Sequence, residues 1–189
     1  GGLGKYNVTD LRKVLAGKNV TVRPSISIMS ESISGASTPK DIETFMQLLY
    51  LNFTGIREDQ EAFQTYKARL KAQIENMDSQ PMSAFSDTLQ KVMYNNNPYA
   101  NRMTLEMLDK LDYSKSLELY RQRFANASDF VFTFVGNVDE AVLKPLVETY
   151  IASLPSNKSQ KENWANVGLV PVKGKVVKHF EKAMQTPKA

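Results

Sequence analysis

The stretch "DFVFTFVGNVDE", residues 129–140, reads as a strand that runs into a Gly-Asn turn and then an acidic helix start. Phe130, Phe132 and Phe134 fall on one side and Val131 and Val135 on the other. Apolar residues on both faces predict a central strand covered from above and below. A strand that ends in glycine at the mouth of a helix is also where many proteins hold a phosphate. The dinucleotide fingerprint needs G-x-G-x-x-G, and a P-loop needs G-x-x-x-x-G-K-[ST]. Here Gly136 is followed by Asn137, Val138, Asp139 and Glu140. Two carboxylates at the helix start repel a phosphate and already occupy the favourable end of the dipole. Gly136 therefore reads as a tight turn.

Working outward, the pattern alternates short strands with runs of helices. Val8 to Leu15 reads as a short helix capped by Asn7 or Thr9 and ended by Gly17. In "NVTVRPSISIMSESISG", Val20, Val22, Ile26 and Ile28 alternate with polar residues, which is a strand with one wet face. Pro24 places that strand at a sheet edge or at a bulge. Ser32 to Gly35 is the expected second strand. "STPKDIE" predicts a helix start, with Thr38 accepting a backbone N–H, Pro39 pre-setting φ and Asp41 favouring the N-terminus. Ile42, Phe45, Leu49 and Phe53 follow at helical spacing until Gly55.

Asp59 opens a long helix with Phe63, Tyr66, Leu70 and Ile74 on one stripe, and Pro81 opens another with Phe85, Leu89 and Val92 expected inward. Asn95-Asn96-Asn97-Pro98 is a turn. Thr104 caps a short helix through Leu111, and Asp112 starts one carrying Leu117, Tyr120 and Phe124. After Gly136, a helix from Val142 to Ile151 contains Pro145, which should kink it or mark a short turn. Such clustering of helices is not a βαβ alternation. It predicts an α+β fold, a mainly antiparallel sheet with helices packed on one face. Residues 1–155 form the expected domain and 156–167 a polar linker. Residues 168–189, with the strand "GKVVKHF", start a following subdomain that is incomplete.

Composition removes several function classes. The chain has 189 residues, 42% hydrophobic and 23% charged, which is ordinary globular usage. No stretch approaches the roughly 20 apolar residues of a membrane span. "GGLGKYNVTD" carries no signal-peptide pattern, and so abrupt a start is expected of a chain cut from a longer gene. The formal charge is +4, but residues 157–189 alone hold seven lysines against Glu162 and Glu181. The rest of the chain is thus slightly acidic, and no arginine- and aromatic-rich basic face points to nucleic acid.

Metal and nucleophile chemistry are equally thin. A catalytic zinc site takes three protein ligands from His, Cys and carboxylates. This chain has one histidine, His179, and no cysteine, so neither H-E-x-x-H nor H-x-x-E-H exists in it. His179 sits in a lysine-rich stretch near Glu181 and reads as a surface imidazole. A serine nucleophile would have no other base, and no G-x-S-x-G is present; "SISGAS" at 32–37 only approaches it in letters. No catalytic, cofactor-binding or metal-ligating residue is assigned to the chain.

Two longer stretches carry a resemblance. "ISGASTPKDIETFMQLLYLNFTGI" and "DSQPMSAFSDTLQKVMYNNNPYANRMTLEMLDKLDYSKSLELYRQRFANASDFVFTFVGNVDEAVLKPLVETYIASLP" are similar to the insulinase/pitrilysin-type zinc peptidases, the inverted zincins. The order of the Pro-opened helix, the N-P-Y turn, the T-x-E-x-L and Y-x-x-x-F helices and the V-G-N-V-D strand end resembles the large bacterial two-half zinc proteases.

The resemblance implies the metallohydrolase fold of processing peptidases. It implies that the family's H-x-x-E-H lies in a catalytic half upstream of this chain, and with it the zinc. The family's third ligand, a Glu, lies on the helix matching Asp59–Met77. There Leu70-Lys71-Ala72-Gln73-Ile74 offers no carboxylate, so no ligand carries over. By resemblance the chain is then the first subdomain of the catalytically empty half of a metalloendopeptidase. The expected compartment is the periplasm, with the cytoplasm as the alternative, since the lack of cysteine suits both. The chain's partners would be the catalytic half of the same polypeptide and a peptide or unfolded protein, bound in part along the edge of Val20–Ile28. The other reading the resemblance leaves open is a scaffold that shares the fold and has no peptidase partner half.

Overall fold

The computed structural model describes residues 2–160, 162–179 and 181. They cluster into two units, 1–63 with 112–163, and 64–111 with 164–189. The first opens with α1 (Val8–Val14), capped by Asn7 Oδ1 accepting from the Asp10 N–H at 2.8 Å. An antiparallel hairpin comes next, β1 (Val20–Ile26) and β2 (Glu31–Ser37), with Val22 opposite Gly35 and Pro24 opposite Ile33.

The hairpin's hydrogen-bond phase can be read from its two ends. Thr38 donates to Asn19 O at 3.2 Å, and Ser27 donates to Ser30 O at 2.8 Å. Hydrogen-bonded pairs recur at every second residue of an antiparallel ladder. Thr21, Arg23 and Ser25 therefore bond to β2, while Val20, Val22, Pro24 and Ile26 direct their backbone groups outward. Pro24 fits because the N–H it lacks was never part of the ladder. On β2 the same phase turns the backbone of Glu31, Ile33, Gly35 and Ser37 away from β1.

Helix α2 (Ile42–Thr54) packs on one face of this hairpin and carries four of the unit's buried residues, Met46, Leu48, Leu49 and Asn52. Gly35 lets it come close: a Cβ there would lie 2.7 Å from the Phe45 ring and 2.1 Å from the Thr21 carbonyl oxygen. The helix entry corrects one expectation. Thr38 accepts no backbone N–H; its hydroxyl donates to Asp41 Oδ2 at 2.9 Å, and a single 3-10 turn, Pro39–Asp41, precedes α2. Asp41 is the residue with a longer reach, since its carboxylate also accepts the Asn19 N–H at 2.9 Å and so pins the start of β1.

Toward its C-terminal end α2 enters an aromatic cluster through Phe53. Helix α6 (Tyr113–Arg123), capped by Asp112, brings Phe124, which is 1% exposed. The Phe53 ring meets Phe124 edge-on at 5.6 Å and Phe130 at 5.1 Å, and Tyr120 stacks on Phe124 at 4.6 Å. The Tyr120 hydroxyl donates to Asn52 O at 3.0 Å, so its burial leaves no polar group unpaired. That burial also pushes the phenol well above its ordinary pKa. Helix α7 (Glu140–Leu146) contains Pro145, and beyond it the chain winds one π-helical turn, Val147–Ile151, in which Ala152 N–H reaches Val147 O at 2.9 Å. Pro145 has no N–H to continue the ladder, so the helix re-forms with a wider turn.

The expected central strand is not formed. Residues 130–135 keep a two-residue alternation, Phe130, Phe132 and Phe134 half-buried and Val131 and Val135 exposed at 92% and 91%, but they pair with no strand. Their valine side is open, not covered. From 156 onward, the described residues hold no strand either, so residues 174–179 of "GKVVKHF" are unpaired, and Phe180 lies outside the described residues. The first part of the polar stretch is nonetheless anchored: Asn126 Oδ1 accepts the Asn157 N–H at 2.7 Å, and its Nδ2 donates to Gln160 O at 2.7 Å. The sheet of the α+β fold is thus a two-stranded antiparallel hairpin.

The second unit takes most of α3 (Gln60–Ser79), then α4 (Pro81–Met93) and α5 (Leu105–Asp109), around buried Ile74 and Leu108. Thr104 caps α5 as expected. Arg102 grips Asp87 of α4 with Nε at 2.8 Å and Asp78 of α3 with a guanidinium nitrogen. Both carboxylates, Asp87 first, hold the guanidinium in its charged form. Phe85 and Leu89 are not inward: with Met82 and Met93 they form a half-exposed stripe along α4, and Val92 is half-buried. Asn95 and Asn96 carry the positive φ of the turn.

Phe124→Ala should cost about 3–5 kcal/mol in urea unfolding, the range for truncating a buried aromatic. Val131→Ala should change stability by less than about 0.5 kcal/mol, as for an exposed site. A large loss at Val131 would mean that a covered strand forms there after all.

Candidate functional site

Between β2 and residues 129–138 runs a groove with two lobes, ≈ 220 Å³ and ≈ 750 Å³. Its floor is apolar, built from Phe45, Leu49 and Phe53 of α2, and Ile33, Phe130 and Phe134 stand along its sides. One wall is the edge of β2 that β1 leaves unpaired. Gly35 and Ile33 present backbone N–H and C=O groups there. The opposite wall is the extended run after Phe130, which has φ −103° and ψ 146°. Among the described residues, no backbone hydrogen bond involves residues 131–138. Two unpaired backbone edges therefore line one apolar groove. That arrangement supports addition of an extended chain, by main-chain hydrogen bonds on the edges and apolar side chains on the floor.

The charges of the groove are one-sided. Glu31, Asp129 and Asp139 line it, with no lysine or arginine. Glu31 is paired with Arg123 at 3.4 Å, and Asp129 accepts from Asn126 at 2.9 Å. Asp139 Oδ1 caps α7 by accepting the Ala141 N–H at 2.9 Å. The helix end that could have taken a phosphate is thus filled by the protein's own carboxylate. Gly136 lies in the wall with φ +143°, and a Cβ there would meet nothing within 4 Å, so this is a turn that glycine adopts without strain.

The other sequence candidates lie elsewhere. His179 and Glu181 are exposed. In the stretch matching the family's third zinc ligand, Ile74 is buried in the second unit's core and Lys71 pairs with Glu75 at 4.0 Å. Among the described residues, no three His, Cys, Asp or Glu side chains are grouped to hold a metal ion. "SISGAS" is β2 itself, and its serines have a structural place on the strand. The groove was not assigned from sequence. Its signal was present in the alternation of Ile33 and Gly35 with serines, opposite that of Phe130, Phe132 and Phe134.

At the end of the groove near Ser37 lies Asp41, buried beneath Thr38. The Asn19 N–H, then the Thr38 hydroxyl, then Lys18 hold its carboxyl below the ordinary carboxylate pKa. A group whose folded pKa is depressed stabilises fully above its unfolded pKa, and that contribution is lost as pH falls through the folded value. Asp41→Asn should therefore lower the melting temperature at neutral pH and flatten its fall below about pH 4, where the unfolded carboxylate begins to protonate while the native one still resists. Thermal unfolding followed by circular dichroism across that range checks both.

Comparison with known proteins places this geometry in a family context. Residues 113–189 match the family described as the peptidase M16 inactive domain. A zinc protease PQQL-like protein of Arabidopsis thaliana is 25% identical over 116 residues, 61% of this chain. The crystal structure of the periplasmic protease PqqL from Escherichia coli superposes with a TM-score of 0.72 over 87% of the chain at 20% identity. The ferredoxin protease FusC, solved as a mutant in complex with Arabidopsis ferredoxin, gives 0.69 over 90% at 13% identity. The chain spans only 12% of the Arabidopsis relative and 18% of each solved chain. The expected resemblance to zinc peptidases of the inactive-domain type holds, and so does the expected fold class.

Proposed function

We propose that this chain is a non-catalytic domain of a zinc-dependent metalloendopeptidase and forms part of the wall of its substrate chamber. Hydrolysis, and the zinc, belong to another half of the same longer polypeptide. The observation that carries this reading is the match of residues 113–189 to the M16 inactive domain, together with the fold shared with PqqL. The absence of H-x-x-E-H from the sequence supports the same division of labour. In this reading, residues 1–155 are the peptidase-like domain, 156–167 lead out of it and 168–189 open the next subdomain. The substrate is a peptide or unfolded protein, and the compartment is the periplasm, as for PqqL. No helix among the described residues is long and apolar enough to cross a membrane.

The outer edge of β1 is where a substrate strand would lie. Its outward backbone groups belong to Val20, Val22, Pro24 and Ile26, and Pro24 contributes no donor. A docked peptide therefore finds three N–H groups with a gap between Val22 and Ile26. Such an edge positions an extended chain and releases it readily, which suits a chamber wall that must let cleaved products leave.

Ile26→Pro removes one outward donor, and the side chain it replaces is half-exposed. In the longer polypeptide, this change should raise the KM for an unfolded substrate several-fold, with kcat and melting temperature nearly unchanged. An unaltered KM would remove β1 from the binding surface.

A further inference from the structure

We propose that Arg23 sets substrate preference at the outer edge of β1, where it selects an extended segment that carries a carboxylate between two apolar residues. This role rests on the preceding reading of that edge as the place where a substrate strand lies, and it adds which strand is taken.

Strand alternation gives the hairpin two faces. Val20, Val22, Pro24 and Ile26 lie on the first, where Gly35, opposite Val22, meets Phe45 of α2. Thr21, Arg23 and Ser25 lie on the second, paired with Ala36, Ser34 and Ser32. Every residue of that second face is exposed. Arg23 is the single long and charged side chain on it, and its neighbours are too short to cover the guanidinium. From Asn19 to Ser37 the sequence holds one other charge, Glu31, which is 13% exposed and paired with Arg123 at 3.4 Å. Arg23 has no ion pair, side-chain hydrogen bond or ring contact among the described residues. The hairpin therefore offers an incoming chain one unneutralised cation.

The phase of the ladder puts that cation where it can choose. Thr21, Arg23 and Ser25 bond inward to β2, so the outward backbone groups beside Arg23 belong to Val22 and Pro24. A chain added antiparallel takes its main-chain bonds from those two residues. It faces Arg23 across a pair without hydrogen bonds, in which Cα atoms approach to about 4.5 Å. The facing side chain then stands on the same face as the guanidinium, and its two sequence neighbours turn to the apolar side, beside Val22 and Pro24. A carboxylate at the facing position meets a planar donor that no other anion holds. A lysine there meets a like charge directly opposite, which disfavours pairing. Main-chain bonds hold any sequence on an edge, so side-chain pairs of this kind supply the selection.

Binding of labelled extended peptides to the full-length protein, read by fluorescence anisotropy, tests the assignment. The peptides differ only at one central position between two valines, which is Asp, Asn or Lys. The Asp peptide should bind about two- to fivefold more tightly than the Asn peptide, and the Lys peptide more weakly than either, as for a cross-strand charge pair. Arg23→Gln should remove this spread, Arg23→Glu should invert it and Arg23→Lys should keep its order, all at unchanged melting temperature. In about 0.5 M salt the spread should shrink, because the pair is exposed. Ile26→Pro should weaken the three peptides alike. Equal binding of the three by the unaltered protein, or a preference for Asp that survives Arg23→Gln, would overturn the role of Arg23 and leave β1 as the edge. Binding of no peptide, or binding untouched by Ile26→Pro, would remove the edge and the role of Arg23 together. Zinc content and peptide cleavage judge the peptidase reading separately, since neither depends on Arg23.

Discussion

The edge-to-face contact of Phe53 with Phe124 at 5.6 Å, extended to Phe130 at 5.1 Å, ties three otherwise separate parts of the first unit together. Phe53 lies in the last turn of α2, Phe124 ends α6, and Phe130 begins the extended run that forms one wall of the groove. Aromatic pairs of this geometry add about 0.5–1.5 kcal/mol each beyond their buried area. Their structural consequence is larger than that energy. Without the cluster, residues 130–134 would lose their hold opposite β2, and the groove would have one wall. The hairpin meets the same helix two turns earlier through Phe45 and Gly35, so α2 sets the spacing between the two edges.

Local signals in the sequence translated well into structure. Asn7, Asp59, Thr104, Asp112 and Asp139 each cap the helix that comes after, because a cap needs only a side chain and an N–H two or three residues away. The placement of Pro24 at a strand edge was legible in the same local way, whereas the expected alternation did not continue to Ile28, which lies beyond the strand. Thr38 was not legible, since its hydroxyl answers to Asp41, and Asp41 answers to Asn19, more than twenty residues earlier in the chain. A local rule cannot see a competing partner that the fold brings from elsewhere.

The strand expected at residues 130–135 failed for a different reason. Apolar residues on both faces do describe a central strand, and the alternation of burial in the structure agrees with that description. Pairing, however, is a property of two strands, and among the described residues no strand pairs with this one. The sequence thus carried the strand's character but not its neighbour. The α4 stripe of Met82, Phe85, Leu89 and Met93 makes a similar point, because helical periodicity marks an apolar face without saying what lies against it. The candidate groove was not legible in the sequence, because it emerges only from the position of α2 between two stretches that lie far apart in the chain.

The described residues share the fold of the periplasmic protease PqqL, and the proposal that catalysis belongs to another half of a longer polypeptide is the central claim. The most direct test is zinc stoichiometry by elemental analysis, together with cleavage of an unfolded protein, for the purified 189-residue chain loaded with excess zinc. The account predicts zinc well below one equivalent after dialysis and no cleavage. One tightly bound zinc per chain with peptide hydrolysis would contradict it.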